Sequence, residues 1–513
     1  MRRLPALRYI RRRHLLVAAV GVAAVLLYVA LSSLAGGPGF PLDDGWIHQT
    51  YARNLAAVGR WEYTGGETSA GSTAPLWTVL LAVGYLLQLP HLPWAYLLGA
   101  LSLVALLWSG MMLWRALWPQ WAERDWLVGL FLALTWPLVW AAVSGMETLL
   151  FTALGLMLLW LYSRAGKTPL WLSGLLAGLL VMIRPEGLLL LVLIALALAV
   201  RGARRSLLLF LSVAALLLLP YFALNLSLGG ALWPSTLYAK QAEYGQILTR
   251  PLPIRYLNLF YFSAGGPPVG WRGISGAHLL LLPGLLFAAV WAVREDWRHR
   301  RLRATLPLLW AAGHIFAYAW RLPVTYQHGR YLLPALPVWV LYGLAGWSQL
   351  AARWPHSRGA ARLLTRVGKL VLAVLLLLFF LLGAQAYVTD VAFIQSEMVD
   401  VALWLRAHTP PEALVATHDI GAIGYFARRP LLDLAGLITP EVVPFLGNEA
   451  ALADYVRRSG ADYLVTAPGW PYPLLTGAAD TTLLYETDFP WTEAQGWNNM
   501  AVYRLPSRPF STP

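Results

Sequence analysis

Asp43 and Asp44 stand side by side in the stretch Pro41-Leu42-Asp43-Asp44-Gly45-Trp46-Ile47-His48, just beyond an apolar run that ends near residue 35. Two adjacent carboxylates at a membrane edge can repel each other and raise one pKa toward the range a general base needs; alternatively they can ligate a divalent cation. Asp44 has a competing structural role as the N-cap of a helix expected over 45–58, and Asp43 has none. Further polar knots each sit at the end of a hydrophobic run: Ser144-Gly145-Met146-Glu147-Thr148, Arg184-Pro185-Glu186-Gly187, Trp233-Pro234-Ser235-Thr236-Leu237-Tyr238-Ala239-Lys240 and Tyr326-Gln327-His328-Gly329-Arg330-Tyr331. Arginine and lysine in such knots suit a phosphate, since a guanidinium fork binds two oxygens and an ammonium supplies a point charge. The bland alternatives are an Arg184–Glu186 ion pair closing a turn and snorkelling by Lys240 and Arg330. His48 and His328 lack helical metal-ligand spacing, so no histidine metal site is expected. The chain has no Cys, which excludes thiolate metal sites, a cysteine nucleophile and disulfides.

The elements that position these residues follow from composition. Of 513 residues 58% are hydrophobic and only 12% charged, against about 25% charged in soluble domains, so lipid must be the solvent for most of the chain. A hydrocarbon core of about 30 Å needs roughly 20 apolar residues per helix. Eleven spans are expected, near 15–35, 94–114, 127–143, 147–162, 169–183, 187–200, 206–225, 277–293, 303–321, 328–347 and 366–387. The first is too long for a cleaved signal segment of ~7 to 15 apolar residues, although Ser33-Leu34-Ala35 resembles a cleavage site. With the N-terminus in the cytoplasm, every basic cluster falls inside, provided that 75–89 does not cross and lies as an interfacial or re-entrant helix in the first outer loop, 36–92. Asp43, Asp44, Glu62, Glu67, Glu147, Glu186 and Glu243 then fall at the outer face, where intramembrane-edge charges usually mark function. The 45–58 helix, with Ile47, Tyr51, Leu55 and Val58 on one stripe, is expected to lie along the membrane surface. Trp118, Trp121, Trp126 and Trp233 read as interfacial belt residues.

The net charge of +14 belongs to the membrane part. Residues 1–387 hold 32 Lys and Arg against 11 Asp and Glu, and residues 388–513 hold 7 against 14. The basicity therefore marks loops rather than a nucleic-acid surface. Two domains are expected: a membrane domain, 1–390, and a small extracytoplasmic α/β domain, 391–513, with strands near 413–417, 430–434 and 463–466 and helices near 395–408 and 449–459.

The ordered series DDGWIHQTYARNL, GRWEYTGGE, GSTAPLW, SGMETLLF, RPEG, WPSTLYAK and GRYLLP resembles the GT-C superfamily of integral-membrane glycosyltransferases. It is most similar to the bacterial branch related to arabinofuranosyltransferases and more distantly to protein mannosyltransferases and aminoarabinose transferases. The resemblance covers about 15–345, and HDIGAIGYFARRPLLDLAGL is similar to that branch's external domain. It implies a polytopic helical fold, a catalytic acidic pair matching Asp43 and Asp44, a polyprenyl-phosphate-linked sugar donor, and transfer outside the cytoplasmic membrane to a glycan, lipid or protein acceptor. Relatives often carry an acidic residue before the Gly of the third motif; here Ala70 precedes Gly71, and Glu67 is the nearest substitute.

Such a donor leaves as a stable phosphate anion, so the site needs positive charge and a base rather than a strong acid. The expected roles are Asp43 as base, Asp44 orienting the acceptor or holding a cation, and Arg184, Lys240 and Arg330 on the phosphate. Glu67, Glu147, Glu186, Tyr238 and His328 complete the expected substrate contacts. No specific cofactor is expected, with a divalent cation as the alternative, above all for an oligosaccharide or pyrophosphate-linked donor. A transporter or lipid-linked-sugar flippase is the rival from another class, and a scaffolding role for the tail is a third reading.

Overall fold

The computed structural model describes residues 12–506 except 65, 67, 165–168, 268–274, 354–358, 469–470, 495 and 497. The chain is a polytopic helical membrane protein carrying a small mixed-sheet unit at one end. Six helices are long and apolar enough to cross a bilayer: Arg12–Ala35 (α1), His91–Leu117, Arg204–Gly229, Ala277–Arg298, Tyr326–Arg353 and Thr365–His408. The expected 127–143 span is instead a pair of helices, Pro119–Ala133 and Trp136–Ala142, bent by 67°. The bend falls at Leu134-Thr135 ahead of Pro137, whose ring is tolerated only in a first helical turn. The spans expected at 147–162, 169–183, 187–200 and 303–321 are helices of 14 to 16 residues, shorter than the roughly 20 a perpendicular crossing needs.

Between the first two long helices lie α2 (Asp44–Val58) and α3 (Pro75–Leu86). The 12 residues of α3 are too few to cross, as expected of 75–89. Helix α2 differs from expectation: residues 45–52 are all buried, because the helix is covered by α3 on one side and by the sheet unit on the other. Trp118 is also fully buried, tilted against Trp114 and edge-on to Tyr342, so it is core rather than belt.

At the end of the bundle away from the sheet, acids are matched by basic groups or backbone donors. Fully buried Asp125 receives Arg115 at 2.8 Å, His14 at 2.9 Å and Arg13 at 3.3 Å. Asp296 accepts the amides of Ala304 and Thr305.

The sheet has the order β2-β1-β3-β5-β4. Strands β1 (Val415–Thr417), β2 (Leu431–Asp433) and β3 (Tyr463–Thr466) are parallel, and β4 (Thr482–Glu486) and β5 (Ala501–Arg504) add antiparallel at the β3 edge. The parallel half and the helix Glu449–Ser459 stand where the alternation of apolar runs placed them. The last long helix runs on through a π turn, Ile394–Val399, into this unit. In that turn the fully buried Glu397 carboxylate accepts from the Thr487 and Thr492 hydroxyls and the Met500 amide, fastening helix to sheet.

Candidate active site

Where the helices meet the sheet unit, a solvent-connected cavity of about 190 Å³ is lined by Asp44, Glu147, Arg184, Glu186, Lys240 and Arg330. Short local structures aim each side chain. Pro185 confines the residue before it to extended backbone, so the helix Leu170–Ile183 stops at Arg184, which turns inward. Pro234 starts the helix Ser235–Glu243, placing Leu237, Lys240 and Gln241 on the cavity side. Gly145, at φ +76°, makes the turn before Glu147, and its carbonyl accepts from the Trp77 indole.

The N-cap position of α2 falls on Asp43, whose side chain makes no cap bond, and Asp44 is the first helical residue. Its carboxylate pairs with Arg330 and lies 3.9 Å from Lys240. Burial alone would raise its pKa, but Arg330 and then Lys240 hold it well below the usual carboxylate range. The expected N-cap role is thus replaced by an ionic one. Both cations also donate to the Tyr331 hydroxyl, at 3.0 Å from Lys240 and 2.9 Å from Arg330. The Arg184 guanidinium lies 5.5 Å from the same ring, so three cations surround one phenol.

Arg184 is held by two carboxylates, Glu147 at 3.0 Å and Glu186 at 3.2 Å, and donates to the Tyr318 hydroxyl at 2.9 Å. Tyr318 in turn donates to Glu186, and His48 lies 3.2 Å from Glu147. The ion pair expected at the RPEG turn is present, within a larger buried network.

Asp43 sits one residue from the cavity wall and faces the sheet unit. Its two oxygens accept the amides of Gly421 at 2.6 Å and Ala422 at 2.7 Å. Burial and then the Asp419 carboxylate push its pKa up to about 7, against the lowering effect of those amides. The sheet unit also supplies part of the cavity wall, Leu437 and Ile438. Buried Asp433 fixes that loop through the Ala435 and Ile438 amides, and Ser235 donates to the Leu437 carbonyl.

Two expected substrate contacts fall elsewhere. His328 lies outside this wall and bonds Asp390 at 2.8 Å. Tyr238 is 44% exposed, turned away by one helical step from Leu237. Glu67 lies outside the described residues. Among the described residues no group of three His, Asp or Glu side chains is arranged to hold a metal, and the Asp44 carboxylate is already engaged by cations. The wall also includes residues the sequence reading left unassigned: His48, Tyr318, Arg321 and Tyr331. For Tyr318 and Arg321 the available signal is their spacing with His314 along one face of an otherwise apolar helix, Leu306–Arg321.

With this geometry in hand, solved structures supply the comparison. The chain is similar over 95% of its length, and 97% of the other's, to ArnT from Cupriavidus metallidurans bound to undecaprenyl phosphate, with a TM-score of 0.57 and 18% identity. The fold is GT-C-like. It is also similar to the oligosaccharyltransferase AglB of Archaeoglobus fulgidus in complex with an inhibitory peptide and a dolichol-phosphate. There the TM-score is 0.56, with 13% identity and 88% and 69% of the two chains covered. A family profile described as a domain of unknown function, DUF8728, matches residues 386–508. No curated protein sequence matches the chain.

Proposed function

We propose that the protein is a membrane glycosyltransferase that moves a sugar from a polyprenyl-phosphate donor to an acceptor hydroxyl at the extracytoplasmic face of the cytoplasmic membrane. The observation that carries this reading is the charge of the cavity wall. Arg184, Lys240, Arg321 and Arg330 outnumber Asp44, Glu147 and Glu186 by one, which suits the single negative charge of a sugar phosphodiester. The Arg321 guanidinium is exposed and bonds the neutral Gln241 amide at 3.0 Å; Arg330 and Lys240 pair with Asp44, and Arg330 Nε and Nη1 have no hydrogen-bond partner among the described residues. In this reading the phosphate docks against these three, while Arg184 stays tied to its two carboxylates and orders the wall.

Asp43 takes the acceptor proton as the acceptor oxygen bonds to the anomeric carbon. The bond from that carbon to the phosphate oxygen breaks, and the phosphate monoester departs with the electron pair. Attack opposite the leaving group inverts the centre. The Gly421 and Ala422 amides each use one lone pair of the Asp43 carboxylate, leaving others to accept a proton. A pKa near 7 matches a base working at neutral pH. The basic loops at the far end of the bundle favour placing the cavity outside the cytoplasm.

The test is to incubate the purified protein in nanodiscs with a panel of polyprenyl-phosphate sugars and analyse the products by mass spectrometry. Release of free polyprenyl phosphate by the native chain, lost in Asp43→Asn, is expected. A folded native chain that consumes no donor, yet moves lipid-linked sugars between leaflets, would replace this reading with transport.

A further inference from the structure

Gln327, His328 and Gly329 are three consecutive residues in left-handed backbone, with φ of 50°, 56° and 66°. Glycine adopts this conformation freely, but for Gln327 and His328 it is strained and persists only where neighbours enforce it. Arg330 follows at once, returns to right-handed backbone at φ −48°, and carries its guanidinium, 3% exposed, onto Asp44 and the Tyr331 hydroxyl. The turn therefore decides where that guanidinium points.

The enforcing contacts come from outside the cavity. His328 Nε2 lies 2.8 Å from Asp390 Oδ2, and the same oxygen accepts the Trp140 indole at 2.8 Å. The His328 ring stands edge-on to Trp136 and Trp140, with centroids 5.1 and 5.4 Å away. Asp390 belongs to the helix Gly359–Phe393, which supplies nothing to the cavity wall. Gly329 completes the turn: its amide donates to the Thr325 carbonyl, and a Cβ there would lie 2.1 Å from the Phe262 ring.

We infer that His328 and Asp390 are a positioning pair that locks the Gln327–Gly329 turn and so aims Arg330 at the phosphate subsite. The inference rests on the lipid-phosphate reading above for what Arg330 binds, and on the turn alone for how Arg330 is held. It gives His328 a role one step removed from the substrate contact expected from its place in the motif. The pair acts only through Arg330, which separates it from a group that touches the ligand.

Two measurements on the full chain in nanodiscs test it. The first is amide hydrogen exchange across 325–333. Asp390→Asn, or His328→Ala should the first variant fold poorly, is expected to speed exchange at 328–331 by about tenfold or more without lowering the melting temperature of the bundle, as release of one local unit would. The second is binding of undecaprenyl phosphate. His328→Ala should weaken it about tenfold, as loss of a charge-assisted bond would. His328→Asn, which tolerates left-handed backbone and keeps a donor, should restore binding to within about threefold. Combined with Arg330→Ala, His328→Ala should add nothing further. Unchanged exchange in both variants, or an equal extra loss in the Arg330→Ala background, overturns the inference. Faster exchange in a chain that never binds undecaprenyl phosphate upholds the lock and instead removes the proposed function.

Discussion

The Gly421 amide donates to the Asp43 carboxylate at 2.6 Å, and a Cβ on Gly421 would fall 2.1 Å from the Asp43 carbonyl oxygen. The sheet unit and the first loop of the membrane domain thus meet backbone to backbone, with no space for a side chain. Tyr63 donates to the Ile420 carbonyl and Arg53 to the Tyr425 carbonyl, so the whole 420–425 segment is bound to that loop. Gly421→Ala should force the two apart. Overpacking of this kind costs about 1–3 kcal/mol, so a lower melting temperature is expected, together with loss of transfer and faster exchange in 418–426. A variant with native melting and turnover would show that the contact is dispensable.

The elevated pKa of Asp43 sets a pH dependence for turnover. A base must be unprotonated to act, so kcat/KM should climb as pH rises toward about 7 and level off above it. In Asp43→Asn that limb should vanish along with most of the rate. The same shift acts oppositely on stability. A carboxylate whose folded pKa exceeds the unfolded value of about 3.9 favours folding most at low pH, and this contribution is lost as pH rises from about 4 to about 7. A pH-independent kcat/KM between 5 and 8 in the native chain would remove Asp43 as base.

Asp44 and the phosphate compete for the same cations. Asp44→Asn should therefore tighten undecaprenyl phosphate by about tenfold, the equivalent of about 1.4 kcal/mol, while lowering the melting temperature because Arg330 loses its carboxylate partner. Titration in nanodiscs at two ionic strengths checks this, and weaker binding in the variant would place Asp44 on the sugar or acceptor instead.

Arg184 should be intolerant of truncation. Removing it leaves buried Glu147 and partly buried Glu186 without their main counter-charge, and breaking a buried pair such as Arg184–Glu147 typically costs about 3–5 kcal/mol. Arg184→Ala is expected to lose folded yield by size-exclusion chromatography. Arg184→Lys keeps the charge but not the fork that spans both carboxylates, so it should fold with reduced turnover. Normal folding of Arg184→Ala would return Arg184 to the phosphate.

Much of this site was legible because a charge at the end of an apolar run is conspicuous: Asp44, Glu147, Arg184, Glu186, Lys240 and Arg330 all line the one cavity. Sequence could not say which charges cancel. Arg184 sits between two acids that are 37 and two residues away, and only the folded chain reveals that it is satisfied. His328 misled for a related reason. Its motif neighbour Arg330 faces the cavity, but the left-handed turn between them reverses the side-chain direction. Tyr318 and Tyr331 were hidden among many aromatics in apolar helices, where a ring is usually packing. In the sheet unit, β4 and β5 escaped notice: β4 is mostly exposed, and each offers only a three-residue apolar run, 483–485 and 501–503.

Glu397 has a last consequence. Hydropathy changes near residue 390, which looks like a natural joint, yet the helix passes through it unbroken and Glu397 fastens it to the strands at Thr487 and Met500. A cassette cut at that point would keep Glu397 with its strands but sever the helix Thr365–His408 that joins them to the bundle. Any exchange of sheet units between proteins of this architecture has to rejoin that helix in register, so lineages are expected to inherit the two halves as one piece.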